Sequence, residues 1–199
     1  MRGVVNMWRN FSLNDEAGTV ICSYPEGSSL PSIPIPYCEE TMTGFEYALA
    51  GLMISEGYVA EGENIVKAVR DRYDGEKRNP WNEIECGSNY ARSMASYALM
   101  PIYSGFTFDM TQKHIGFAPI SGVGKYLFSI GESWGTVELD DKGCRLTVLG
   151  NALSLNSISV PYIENITAVT VDGSNRDFEI ANGKILLGNI EIEEVLYLK

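Results

Sequence analysis

An α+β fold is what this sequence predicts, with helices gathered before Gly105 and strands after it. Three observations lead there. Apolar residues recur at helical spacing between residues 41 and 102. From residue 105 onward the period changes to two. The chain has 199 residues, 45% apolar and 21% charged, which describes a globular protein able to bury a core. The expected division is 1–104, helical, and 105–199, an antiparallel β extension.

The elements follow in order. Residues 19–24 (TVICSY) suit one short strand. PEGSSLPSIPIPY then carries four of the eight prolines. It must be an extended loop, because each proline also pushes its predecessor out of the helical region. A first helix is expected from Thr41 to Ser55. It is apolar nearly all round, with Glu46 its one interior charge, so it is expected to be buried. Gly57 suits the residue after its end.

A second helix is expected from Glu61 to Tyr73. Val59, Ile65, Val66, Val69 and Tyr73 fall on one side; Glu63, Lys67, Arg70 and Asp71 fall mostly on the other, so it is half-exposed. Gly75 can close it. A third is expected from Asn89, with Ser88 as N-cap and Pro101 kinking or ending it. Buried, half-exposed, buried: the alternation suits two concentric layers of helices, and it suits an ordinary bundle equally well.

After Gly105, FTFDMTQKHIGFAP predicts a hairpin. KYLFSI, WGTVEL and CRLTVL predict three strands, with the turn DDKG between the last two. ITAVTV, RDFEI, KILL and EEVLYL predict the rest. Asn182-Gly183 is the strongest two-residue hairpin signal in the chain. The whole region is expected to be antiparallel.

Charge and cysteine usage exclude several functions. The formal net charge is −11, spread over both halves, so there is no basic face to release counterions from a nucleic acid or to meet an anionic membrane. The longest apolar run, Tyr47 to Ile54, is far short of the roughly 20 residues a membrane-spanning helix needs. Cys22, Cys38, Cys86 and Cys144 show no C-x-x-C pair, and His114 is the one histidine, so no zinc site is expected. Scattered cysteines suit buried thiols in a reducing compartment. MRGVVNMWRN has no apolar core of a signal peptide, and a cytoplasmic location is the expectation.

Candidate chemistry narrows to carboxylates. With one histidine, set in a predicted hairpin, a Ser-His-Asp or Cys-His arrangement is not expected. ISGVGKY matches neither phosphate-binding glycine pattern and predicts a loop. NPWNEIECGSNYARSMASY (79–97) holds Glu83, Glu85 and Arg92. Two carboxylates that flank a glycosidic bond can hydrolyse it. In an extended segment, however, Glu83 and Glu85 point to one side about 6.5 Å apart and would approach a sugar together rather than from both sides. Arg92 stands in the first turn of the expected helix, where the macrodipole disfavours a cation. Two readings account for it. It pairs with Glu83 or Glu85 to anchor the loop, or it joins one of them in gripping hydroxyls, with Trp81 or Tyr90 beneath a sugar ring. The pattern of residues leaves both open.

The runs NDEAG (14–18), CSYP (22–25), PYCEETMTGFEYALAG (36–51), IVKAVRDRYDGEKRNPWNEIECGSNYARSMASY (65–97) and SGFTFD (104–109) closely resemble glycoside hydrolase family 116. This is the family of non-lysosomal glucosylceramidase and of bacterial β-glucosidases and β-xylosidases. The resemblance covers residues 11 to about 120. It implies the last helices of an (α/α)6 barrel, and retaining hydrolysis by a glutamate nucleophile and an aspartate acid/base without an organic cofactor. It further implies that Glu40, Glu83 and Arg92 line a sugar subsite and bind hydroxyls of a β-glucoside or β-xyloside, with Glu85 structural. Many relatives carry an aromatic residue where Met42 stands. Family members are several times longer, and their catalytic pair lies upstream of the matched region. The chain is therefore expected to be the C-terminal part of such an enzyme, inactive alone, whose partner is the missing N-terminal part. The alternative is a carbohydrate-binding or interaction module derived from that fold.

Overall fold

The computed structural model describes residues 2–3, 16–19, 21, 24–29, 31–33, 41–77, 81 and 93–199. The chain divides into two compact units, Met1–Leu99 and Met100–Lys199, and the fold is mixed α and β.

In the first unit, β1 (Arg2–Gly3) pairs antiparallel with β2 (Ala17–Gly18). Of the strand expected at 19–24, the described residues, Thr19, Ile21 and Tyr24, lie outside any strand. Two helices follow, α1 (Thr43–Ser55) and α2 (Val59–Arg72). Gly57 takes a left-handed φ of 88° and its N–H bonds back to Ile54 O, ending α1 where the sequence placed its stop.

Helix α1 is not buried all round, as its composition led one to expect. Glu46, Tyr47, Ala50 and Ile54 face inward, while Phe45, Leu49 and Leu52 are exposed. One face packs on α2, where Tyr47, Val69 and Tyr73 form a small apolar cluster with Val66, Ala95 and Leu99 against it. The two helices approach closely at Gly62, where an added Cβ would stand 2.7 Å from Ala50 O and 2.5 Å from Ile54 Cγ1.

The third helix also departs from expectation. Ser93–Ala98 forms a 3₁₀ turn, and a short α-helix, α3 (Leu99–Ser104), begins after it. Pro101 does not end the helix but sits at its third position. In a first turn the missing proline N–H is one that has no intrahelical acceptor. Ser88 and Asn89, the expected start, lie outside the described residues.

The second unit is a β-sandwich. Its strands are β3 (Thr107–Asp109), β4 (His114–Gly116), β5 (Gly124–Ile130), β6 (Ser133–Leu139), β7 (Cys144–Val148), β8 (Leu153–Ser159), β9 (Val169–Val171), β10 (Ser174–Arg176), β11 (Glu179–Ala181), β12 (Lys184–Ile192) and β13 (Val195–Leu198). One sheet has the order β10-β9-β13-β7-β6-β5 and the other β11-β12-β8-β4-β3. Alternate residues of both sheets meet in a single core that includes Phe128, Val137, Leu146, Leu155, Ile158, Ile185 and Leu196.

The Asn182-Gly183 turn joins β11 to β12 with both residues at positive φ, 51° and 71°, as a two-residue hairpin of this type requires. Two features depart from expectation. The sheets are not wholly antiparallel, because β4 runs parallel to β8. And β8, missing from the expected strands, is the central strand of its sheet. Among the described residues, no helix is long and apolar enough to cross a membrane.

Candidate functional site

Glu40, Glu83 and Arg92 lie outside the described residues, as does Glu85. Of their neighbours, Thr41 and Met42 are buried ahead of α1, and Trp81 is exposed. What the structure does define is the polar centre on which α1 is seated.

That centre is an ion pair between Glu46 and Arg72, each side chain about 1% exposed. Glu46 lies on the inward face of α1 with Tyr47, Ala50 and Ile54. Arg72 lies three residues after Val69 and seven after Ile65, on the buried stripe of α2. A guanidinium and a carboxylate meet as a two-pronged fork: Arg72 Nη2 donates to Glu46 Oε2, and Nη1 to Oε1 at 3.2 Å. Part of the remaining hydrogen-bonding capacity is taken by the N-terminal segment. Arg72 Nη1 donates to Ala17 O at 2.7 Å, and Thr19 N–H donates to Glu46 Oε1 at 2.9 Å.

Gly18 lies between those two contacts. A Cβ there would fall 2.9 Å from both Arg72 Nη1 and Glu46 Oε1, and 2.7 Å from Thr41 Cγ2. The pair thus joins α1, α2 and β2, and it holds the first turn of α1 in place. Among the described residues, Arg72 Nε and Thr41 Oγ1 are buried without a hydrogen-bond partner. Sequence reasoning noted Glu46 but placed no partner for it. The signal was present, since a charge inside an apolar helix needs an opposite charge and Arg72 is the cation in register with the apolar stripe of α2.

In the second unit, His114, Asp109, Cys144 and Asp172 have structural partners or burial. His114 on β4 is half-buried and its Nδ1 lies 2.9 Å from Ser157 Oγ. Burial, and then the charge of Lys184, hold its pKa below the ordinary value. Asp109 stands opposite His114 in the β3–β4 register, but its Oδ1 accepts from the Thr111 hydroxyl and from the Thr111 and Gln112 N–H groups. Among the described residues no carboxylate hydrogen-bonds the imidazole, so these residues do not form a catalytic triad. Burial pushes the Cys144 thiol up to about 12, which leaves it neutral and inert. Asp172 accepts backbone N–H bonds from Glu193, Glu194 and Val195, tying the β9–β10 turn to the β12–β13 turn. Among the described residues, no group of three His, Cys, Asp or Glu side chains could hold a metal ion.

No protein-family model matches the chain, and no curated protein matches it significantly.

Proposed function

We propose that this chain is the C-terminal part of a retaining β-glycosidase of the glycoside hydrolase family 116 type, acting on a β-glucoside or β-xyloside in carbohydrate metabolism. The observation that carries the reading is the long run RDRYDGEKRNPWNEIECGSNYARSMASY, residues 70–97. In this reading Glu40, Glu83 and Arg92 grip sugar hydroxyls with charge-assisted hydrogen bonds. The nucleophile and the acid/base come from the remainder of the enzyme, and no cofactor takes part. The helices of the first unit are the last of an (α/α)6 barrel, and the location is cytoplasmic.

Two structural features support this. Phe45, Leu49 and Leu52 leave an apolar face of α1 exposed, as expected of a helix built to be covered by others. The Glu46–Arg72 pair holds the N-terminal half of α1 against α2, the kind of rigid support a binding site needs.

The test is hydrolysis of aryl β-glucosides and β-xylosides by the chain alone. No turnover is expected. Turnover abolished by Glu83→Gln or Glu85→Gln would replace this reading with a self-contained catalytic pair. A second reading, a non-catalytic carbohydrate-binding or interaction module, is favoured by the sandwich, whose core is complete within residues 115–198.

A further inference from the structure

The larger sheet of the sandwich carries one straight row of side chains on its outer face. Register places Lys125 opposite Glu138, Glu138 opposite Arg145, Arg145 opposite Tyr197, and Tyr197 opposite Thr170. Flanking residues on the same strands, among them Val137, Leu146, Leu196 and Val171, are buried in the core. The period of two therefore turns this row outward. A cleft of about 740 Å³ lies along it, within the roughly 300–1,000 Å³ of small-molecule sites.

The chemistry of the cleft selects a ligand. Lys125 and Arg145 supply two positive charges, and Glu138 and Asp140 supply two negative ones. They cancel, on a chain whose net charge is −11. Such a cleft favours neither a polyanion nor a metal cation. It offers donors and acceptors in alternation beside an aromatic face.

Only part of that capacity is used within the protein. Lys125 donates to Glu138 Oε1. Among the described residues, the Arg145 guanidinium and the Tyr197 and Thr170 hydroxyls have no hydrogen-bond partner, and Tyr197 is 41% exposed. A sugar has the matching surface, an apolar C–H face rimmed by hydroxyls. Aromatic rings cover the first, and charged groups bind the second most strongly.

We propose that this cleft binds a short neutral oligosaccharide laid across the strands. Tyr197 lies beneath the apolar face of one sugar, and Arg145, Glu138 and Thr170 hold its hydroxyls. The assignment stands independently of the glycosidase reading, because it uses none of Glu40, Glu83 or Arg92.

The test is calorimetric titration of the full chain with cellotetraose, xylotetraose and a sulfated oligosaccharide. Heat is expected with a neutral tetrasaccharide. Tyr197→Ala and Arg145→Gln should each weaken binding by about tenfold or more with the melting temperature held, while Glu191→Gln, on the other sheet, should leave it unchanged. No heat with either neutral tetrasaccharide, heat with the sulfated one alone, or neutral binding that survives both substitutions in a chain already carrying Glu83→Gln and Arg92→Ala would overturn the proposal.

Discussion

Replacing Arg72 with methionine removes one half of a buried ion pair and keeps most of its volume. Glu46 would then remain 0% exposed with only the Thr19 N–H as a partner among the contacts described. Breaking such a pair from one side costs about 3–5 kcal/mol, because the surviving charge stays buried and uncompensated. At 1.36 kcal/mol per factor of ten, local opening should rise by roughly two to three and a half orders of magnitude.

Amide hydrogen exchange followed by mass spectrometry reads this directly. Arg72→Met should collapse protection across residues 43–72 while leaving residues 124–198, which have their own core, unchanged. The double variant Glu46→Met with Arg72→Met should recover much of the loss, since an apolar pair of similar volume often matches a buried ion pair. Unchanged protection in Arg72→Met, or a double variant as damaged as the sum of the two single ones, would refute the reasoning.

Other outcomes can be checked on the second unit. Gly183→Ala should destabilise the sandwich by about 1–2 kcal/mol, the cost of a side chain in left-handed backbone, because open space surrounds the position and only strain is added; denaturant unfolding measures it. Cys144 should resist thiol-reactive reagents until the sandwich unfolds, as its burial and raised pKa require, and mass spectrometry of the peptide carrying it shows when it is labelled. His114 should make the sandwich less stable in mild acid. Its folded pKa lies below the ordinary value of 6.5, so the unfolded chain takes up the proton first. Stability is full above about pH 6.5 and falls as pH drops toward the folded pKa. Thermal unfolding from pH 7.5 to 5.5 should show a slope that His114→Gln flattens.

Strands with clean alternation were legible in the sequence, and so was the Asn182-Gly183 turn, because local chemistry alone decides them. Strand β8 was not. Its alternation breaks at Ser157 and Ile158, which are both buried. Burying a serine is tolerable here because His114 on the neighbouring strand meets its hydroxyl, a contact set by a parallel pairing with no local trace. Strand β10, Ser174–Arg176, is polar and exposed at a sheet edge, so it lacks the apolar half of any pattern. Arg72 was lost among the charges at the end of α2, where Arg70 and Asp71 do face solvent. Glu40, Glu83 and Arg92 came from resemblance rather than spacing, and they fall outside the described residues.

Glu40, Glu83 and Arg92 are proposed to form part of a sugar subsite. Titration of the chain with glucose and xylose tests it most directly, using Glu83→Gln and Arg92→Ala beside Tyr197→Ala. Binding is expected that either of the first two substitutions abolishes and the third leaves in place. Binding indifferent to both Glu83→Gln and Arg92→Ala, or no binding of either sugar, would contradict it.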